Sequence, residues 1–130
     1  MYEVSALYES SFKYKVKSGD YEVKIDFPRA GAIQNGTTPI DLFLGSLGSC
    51  LCVYLERYLV GAKVTFESFT VNVKSDISKE APHYLRSIEV YIDIKGASLD
   101  ERRKKAILEF IKNCPVHNTL INIPEVNIKL

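Results

Sequence analysis

The sequence predicts one α+β domain, spanning residues 1–130, with an antiparallel sheet wrapped around a long central buried helix. Three observations lead to this prediction. Residues 1–27 alternate apolar and polar side chains, as half-buried strands do. Residues 42–55 form an uncharged apolar run, and a second helical pattern follows between further strand-like segments. Strands grouped on both sides of two helices are typical of α+β proteins.

The N-terminal region predicts three antiparallel strands joined as a meander. Apolar and polar residues alternate over residues 2–8, 12–16 and 21–27, and β-branched and aromatic residues are frequent there. The tripeptide SGD at 18–20 predicts the turn between the second and third strands.

A loop rich in glycine, asparagine and threonine, residues 28–38, leads to the central helix. Thr38 is a natural N-cap, Pro39 suits the first helical position, and Asp41 stands three residues after the cap. Gly61 is expected to end the helix. The uncharged run inside it is shorter than the about 20 residues that a membrane span needs. We therefore expect a helix buried in protein, with no membrane partner.

Two strands are predicted after this helix. Residues 62–76 read as a strand whose apolar phase slips between Phe66 and Phe69, which predicts a bulge. Residues 83–95 alternate more regularly and predict a second strand.

The C-terminal third predicts two helices and a last strand. Ser98 and Glu101 have capping-box spacing at the start of an amphipathic helix. Asn113 is expected to end this helix in the left-handed conformation, before a short helix over residues 115–120. Residues 123–130 predict a final strand of irregular phase.

A helix that is apolar all round cannot be covered by a three-strand meander alone. A partner chain is the simplest cover, because obligate homodimers hide surfaces that resemble a core. Gly45, Gly48 and Cys52 form a strip of small residues on which another backbone can approach closely. The alternative is ordinary packing within one chain.

Composition narrows the class of protein and its compartment. The net charge of +1 gives no electrostatic reason to bind nucleic acid or an anionic membrane. The N-terminus lacks the basic and apolar blocks of a signal peptide, so a cytoplasmic location is expected. Three cysteines are too few, and odd in number, for a secreted disulfide scaffold.

The cysteines differ in what they can do. Cys50 and Cys52 lie about 200° apart around a helix, so they form neither a chelating pair nor a dithiol. Cys114 precedes Pro115 and is predicted to cap a helix, where unpaired amides should depress its pKa and make it nucleophilic. A buried cysteine that fills a corner is the alternative. Cys50, in mid-helix, is either core filler or a thiol that needs a nearby cation.

A metal site is a further alternative. Cys114 and His117, together with Cys50 and His83, could supply four zinc ligands, but structural zinc sites usually show two tight ligand pairs and this sequence has one. We therefore predict no metal.

The segments TPIDLFLGSLGSCL (38–51) and CPVHNTL (114–120) together resemble the OsmC/Ohr family of small thiol-dependent hydroperoxide reductases and their relatives. The resemblance implies an intertwined homodimer in which Cys50 is the peroxidatic and Cys114 the resolving cysteine. It implies reduction of alkyl or lipid hydroperoxides, an antioxidant role in the oxidative stress response, and regeneration by an external dithiol. It implies no metal, flavin or haem. An OsmC-like protein that binds a small apolar or electrophilic ligand in the dimer cleft, without peroxidase activity, is the alternative.

Two positions depart from the pattern of active family members. Those members place a glutamate directly after the helix-entry proline, where this chain has Ile40, and the acid here is Asp41, one residue later. They also use an arginine from the N-terminal region, for which Arg29 is the best substitute. Alternatively, Asp41 serves only as a helix cap, and Arg29 is only a solvated charge in the loop. His117 is either a proton shuttle or an ordinary histidine, and Cys52 is read as core.

Overall fold

The computed structural model describes all of residues 1–130. It contains eight elements: β1 (Ser5–Ser10), β2 (Lys13–Ser18), β3 (Tyr21–Asp26), α1 (Pro39–Gly61), β4 (Ser68–Ile77), β5 (Leu85–Lys95), α2 (Glu101–Ile111) and α3 (Pro115–Ile121). The α+β class is confirmed, and both sheets are antiparallel. The chain divides into two compact units, Met1–Phe43 and Leu44–Leu130, and each is described by itself.

The first unit contains the predicted three-strand meander, in the order β1-β2-β3. Tyr14 on β2 pairs with Tyr8 on β1 and with Ile25 on β3, so the three strands share one register. The register slips between Tyr8 and Ser10, before the turn into β2. Gly19 has a φ of +57° in the next turn, a conformation that glycine adopts without steric cost.

The end of β3 holds the loop that leads to α1. The Asp26 backbone N–H donates to the Thr37 carbonyl at 3.0 Å, and the Thr37 N–H donates to the Lys24 carbonyl at 3.0 Å. A Cβ on Gly36 would lie 2.8 Å from the Lys24 carbonyl oxygen, so the close approach requires glycine. These contacts bring the loop back alongside β3 just before the helix begins.

The predicted start of α1 is confirmed. The Asp41 N–H donates to Thr38 Oγ1 at 3.0 Å, and the Thr38 hydroxyl donates to Asp41 Oδ2 at 2.7 Å. Pro39 is the first helical residue and Gly61 the last. Thr38 and Asp41 thus cap the start of the helix through two mutual hydrogen bonds. Because these bonds span only three residues, the Thr-Pro-x-Asp pattern was sufficient to predict where α1 begins.

The second unit is built around one face of α1. Leucines at four-residue spacing on α1 are buried against α2 and the start of α3, and partly buried side chains of β4 and β5 pack on them. The buried residues form a cluster, called the leucine cluster below: Leu47, Leu51, Leu55, Leu59, Ile107, Ile111 and Cys114. Strands β4 and β5 pair in antiparallel register, with Val71 opposite Ile92 and Val73 opposite Val90.

Gly48 packs inside this unit. A Cβ on it would lie 3.2 Å from Val73 Cγ2 and 3.8 Å from the Val71 carbonyl oxygen. The strip of small residues is therefore partly an intramolecular contact, since Gly48 faces β4 while Gly45 has open space around it within 4 Å.

Four local predictions are wrong. Strand β4 begins only at Ser68, so Phe66 precedes the strand while Phe69 lies within it, and no bulge separates them. The register irregularity lies instead between Ser75 and Ile77. The N-cap of α2 is Asp100, whose carboxylate accepts the Arg103 N–H at 2.7 Å, because the helix starts two residues later than the Ser98 cap required.

The other two corrections concern the C-terminal region. The C-cap of α2 is Lys112 in the right-handed conformation, and the turn continues through the Asn113 N–H, which donates to the Phe110 carbonyl at 3.1 Å. No strand forms over residues 122–130, whose side chains are all exposed. A strand there would have no hydrogen-bonding partner within the chain.

The apolar central helix is not covered on all sides by its own chain. Val53 is 47% exposed and Val60 is 62% exposed, on the side opposite the leucine row. By length and composition α1 (Pro39–Gly61) is long and apolar enough to cross a membrane, a test that the core helix of a soluble protein also passes.

Candidate active site

Two of the predicted site residues, Cys50 and Cys114, meet in the second unit. Cys50 lies on α1 and packs, partly buried, against the leucine cluster. Cys114 is fully buried, and a side-chain hydrogen-bonding interaction with Cys50 contributes to the raised pKa of its thiol. Both thiols are free.

Cys114 is the N-cap of α3, as the sequence predicted. Its sulfur accepts the His117 backbone N–H at 3.4 Å, its carbonyl accepts the Asn118 N–H at 3.0 Å, and Pro115 is the first helical residue. The proline has no N–H to satisfy there and its fixed φ suits a helix start. The local sequence therefore places the sulfur at the amide-rich end of the short helix.

The pKa of Cys114 is raised, so the depressed pKa expected from its cap position is wrong in direction. Burial is the main cause, because it disfavours the thiolate, and the hydrogen bond to Cys50 acts in the same direction. The backbone amides of His117 and Val116 oppose these effects and lower the pKa in part. At neutral pH Cys114 is a protonated thiol.

Cys52 stands apart from this pair. It is partly buried, belongs to no part of the leucine cluster, and burial raises its pKa. The about 200° that separate it from Cys50 around the helix direct the two side chains to different faces.

An aromatic group that the sequence analysis missed continues the Cys50 face of α1. Tyr54 and Tyr58 follow one and two turns later, and the Phe110 ring of α2 packs on both, with centroid distances of 6.3 and 5.5 Å. Arg103 Nη1 donates to the Tyr58 hydroxyl at 3.2 Å. The four-residue spacing of one cysteine and two tyrosines was the available signal.

Arg29 and Asp41, both in the first unit, are not partners. Asp41 is engaged with Thr38 in the helix cap. Arg29 instead approaches Asp26, with 4.0 Å between Nη2 and Oδ1, and its guanidinium lies 5.4 Å from the centroid of the Phe12 ring. Its Nε is buried without a hydrogen-bond partner. Asp26, the acid beside Arg29, was therefore not among the site residues predicted from the sequence.

The proposed zinc ligands do not assemble. No group of three histidine, cysteine or carboxylate side chains is placed to hold a metal ion. His83 Nδ1 lies 3.1 Å from the Ser78 carbonyl oxygen in a turn. His117 Nδ1 is buried without a partner and borders an apolar cavity of about 340 Å³ that Leu51 and Ile111 also line.

The fold and the paired thiols define a class: small α+β proteins with a two-cysteine site at the junction of a long helix and a short one. The chain belongs to the OsmC family, because residues 31–129 match the family model described as OsmC-like protein. The resemblance seen in the sequence is therefore confirmed.

Two curated proteins are similar to this chain over most of its length. The chain is 23% identical over 122 residues to the hydroperoxide reductase of Mycoplasma genitalium, covering 92% of this chain and 86% of that protein. It is 31% identical over 101 residues to an uncharacterized protein of Methanocaldococcus jannaschii, covering 77% of this chain and 53% of that one.

Solved structures show the same fold. An OsmC-like protein from Mycoplasma pneumoniae superposes with a TM-score of 0.83 at 23% identity, covering 95% of this chain and 89% of that one. An organic hydroperoxide resistance protein from Elizabethkingia anophelis superposes with a TM-score of 0.72 at 23% identity, covering 97% and 93%.

Proposed function

We propose that this protein reduces organic hydroperoxides with a peroxidatic thiol, Cys50, and a resolving thiol, Cys114. The closeness of the two thiols supports the proposal, because Cys50 and Cys114 come from different helices and Cys50 acts on the pKa of Cys114. The names hydroperoxide reductase and organic hydroperoxide resistance protein, given to similar proteins, support a peroxide-related role.

In the first step the Cys50 thiolate attacks the distal oxygen of the hydroperoxide. The O–O bond breaks, the sulfur is oxidised to a sulfenic acid, and the alkoxide leaves as the alcohol after taking up a proton. Cys50 is the better candidate for this step, since it is only partly buried whereas Cys114 is sealed from solvent.

In the second step the Cys114 sulfur attacks the sulfenic sulfur of Cys50. The S–O bond breaks, a disulfide forms, and the thiol proton of Cys114 leaves with the hydroxide as water. The raised pKa of Cys114 suits a group that waits protonated until Cys50 has been oxidised. An external dithiol then reduces the disulfide by exchange and is itself oxidised.

The surroundings of Cys50 favour an apolar substrate. Tyr54, Tyr58 and Phe110 offer aromatic surface beside it, which would bind an alkyl or lipid group better than hydrogen peroxide. No metal, flavin or haem is required, because the thiols carry both electrons.

Arg29 and Asp41 have supporting roles in this proposal. A thiolate needs a nearby cation, and Arg29 is the arginine that we assign to hold the Cys50 thiolate and polarise the peroxide. Asp41 acts through the cap that fixes the start of α1, the helix that carries Cys50.

The protein is proposed to work in the cytoplasm as an intertwined homodimer. The exposed valines on α1, Val53 and Val60, and the unpaired apolar side chains after α3 need a cover that a second copy would supply.

The test is consumption of tert-butyl hydroperoxide or cumene hydroperoxide by the purified protein with dithiothreitol as the reductant. Cys50→Ser should abolish turnover and Cys114→Ser should slow it severely, whereas the matched control Cys52→Ser should keep the wild-type rate. Turnover that survives in Cys50→Ser would overturn the proposal.

A second candidate function, binding of a small apolar ligand without turnover, is favoured by one observation. Two adjoining cavities of about 340 Å³ each lie between β5 and α2 and share Val90, Ile92 and Leu108 in their linings. An environment-sensitive apolar dye displaced by a ligand, in a protein whose Cys50 stays reduced at modest peroxide excess, would favour this function instead.

A further inference from the structure

The two adjoining cavities between β5 and α2 form one elongated apolar site in the second unit. Each has a volume of about 340 Å³, within the range of roughly 300–1,000 Å³ that small-molecule sites occupy. Val90, Ile92 and Leu108 line both cavities, so a single long ligand can contact the two of them. Val90 is 36% exposed and Leu108 is 52% exposed, which leaves apolar surface at the mouth without a cover.

Ionisable residues gather around the second of these cavities. Its lining includes Lys105, Lys112, Glu109 and His117, whereas the lining of the first cavity includes one ionisable residue, Lys104. Lys105 and Lys112 are exposed overall, so their aliphatic stems form the wall while the ammonium groups reach water at the rim. The site is therefore apolar along its length and carries charges at the edge of one end.

One positive charge at this end has no acid to balance it. Lys112 Nζ lies 3.1 Å from Glu109 Oε1, and Lys104 Nζ lies 3.1 Å from Glu101 Oε1. Lys105 takes part in no ion pair, although it lines the same cavity as Lys112. A single unpaired ammonium group beside an apolar cavity complements a ligand with one negative charge.

His117 adds a buried polar atom to the same cavity. Its Nδ1 is buried without a hydrogen-bond partner, and such an atom is unfavourable unless a further group satisfies it. The backbone N–H of His117 donates to the Cys114 sulfur at 3.4 Å, which fixes the residue in the first turn of α3. The nitrogen is thus held where it can meet the polar head group of a ligand.

From these observations we propose that the two cavities bind a medium-chain alkyl carboxylate. The alkyl chain lies against the apolar side chains shared by the two linings. One carboxylate oxygen accepts a hydrogen bond from His117 Nδ1, and the ammonium group of Lys105, on its flexible stem, neutralises the charge. The inference rests on the ligand-binding function considered above, for which it names the class of ligand, and it does not require turnover of peroxide.

The charge of the head group selects a carboxylate among other amphipathic ligands. A phosphate monoester carries nearly two negative charges at neutral pH, more than one free ammonium group balances. An alkylammonium ion would be repelled by Lys105. An alcohol could bond to His117 but would gain no electrostatic attraction from Lys105.

The test is isothermal titration calorimetry of the reduced protein with decanoate. Decanol and decyltrimethylammonium keep the chain and change the head group, while butyrate keeps the head group and shortens the chain. The variants are Lys105→Met, which retains an apolar stem, and His117→Leu. Arg102→Met removes a positive charge from α2 outside both linings and is the matched control. Circular dichroism checks that each variant is folded.

We expect decanoate to bind about 10-fold more tightly than decanol, and Lys105→Met and His117→Leu each to weaken decanoate binding about 10-fold. Lys105→Met should leave the affinity for decanol unchanged, and Arg102→Met should bind both compounds like the wild type. Butyrate and decyltrimethylammonium should bind much more weakly than decanoate. Cys50→Ser, which ends the proposed peroxide chemistry, should bind decanoate as the wild type does.

Other outcomes separate this inference from the functions on which the article has already concluded. Equal affinities for decanoate and decanol would remove the carboxylate assignment and leave the apolar binding function standing. Failure of both compounds to bind would remove that function as well, without bearing on the thiols. Loss of decanoate binding in Arg102→Met to the same extent as in Lys105→Met would reduce the effect to net charge and overturn the assignment. Recruitment to phosphatidylglycerol vesicles without any response to free decanoate would identify a membrane surface instead, and would equally refute the inference.

Discussion

The Cys114 thiol interacts with the Cys50 thiol, although one residue caps α3 and the other lies in the middle of α1. Both cysteines are free thiols. The proposed two-cysteine reaction starts from this reduced state.

We expect one equivalent of an organic hydroperoxide to convert this pair into a Cys50–Cys114 disulfide. Peptide mapping by mass spectrometry should find the two peptides linked and Cys52 still alkylatable. In Cys114→Ser the Cys50 sulfur should stop at the sulfenic acid, which dimedone labels. A dominant link between Cys52 and either other cysteine would contradict the assignment.

The raised pKa of Cys114 predicts a loss of stability at alkaline pH. Its folded-state pKa lies above the unfolded value of about 8.5, so the buried thiol contributes fully below about pH 8.5, and this contribution disappears as the pH rises through the folded-state value. Urea unfolding of the reduced protein between pH 7 and pH 10 should show a steeper alkaline decline for the wild type than for Cys114→Ala. If the unfolding free energy of the wild type and of Cys114→Ala fell equally with rising pH, the prediction would be refuted.

Removal of the helix cap should weaken the start of α1. Thr38→Ala deletes the oxygen that accepts the Asp41 N–H, and such a loss costs about 1 kcal/mol. Thr38→Ser, which keeps the hydroxyl, is the matched control and should stay close to the wild type. Thermal unfolding followed by circular dichroism measures both, and equal melting temperatures for Ala and Ser would contradict the prediction.

The tight contact of Gly48 with β4 predicts a steric penalty. Gly48→Val should cost about 1–3 kcal/mol by overpacking, because even a Cβ would lie 3.2 Å from Val73 Cγ2. Val73→Ala should partly rescue Gly48→Val although it is destabilising alone. Additive costs in this cycle, measured by urea unfolding, would show that the contact is not the cause.

The exposed apolar face of α1 predicts self-association. Light scattering should give a mass near twice the 14.7 kDa of one chain. Val53→Glu or Val60→Glu should shift the protein towards the single-chain mass, because a charge on a buried interface is costly. Glu56→Gln, on the same helix, is the control that should leave the mass unchanged, and a wild type at the single-chain mass would refute the prediction.

Local sequence signals predicted the elements that depend on near neighbours. Thr38 and Pro39 located the start of α1, and Cys114 with Pro115 located the start of α3, because a cap satisfies amides only two or three residues away. The meander followed from alternation alone, since its strands pair with adjacent segments of the chain.

The features that sequence reasoning missed depend on contacts made only after folding. The pKa of Cys114 rises because α1 and α2 bury it, a cost that its cap position does not reveal. Asp26 becomes the partner of Arg29 because the loop folds back to place Asn35 on its other oxygen. The apolar residues after α3 suggested a strand despite their irregular phase, yet no strand forms there.

The packing of Gly48 against β4 has a consequence for the proposed two-cysteine site. Strand β4 meets α1 at this residue, and α2 with α3 meets the same helix on the Cys50 side, so α1 is clamped between two supports. Because Gly48 has no side chain, the α1 backbone can lie close to β4 at this position. A side chain at position 48 would press on Val73, so this glycine, which touches neither sulfur, allows the close contact between β4 and the helix that carries Cys50.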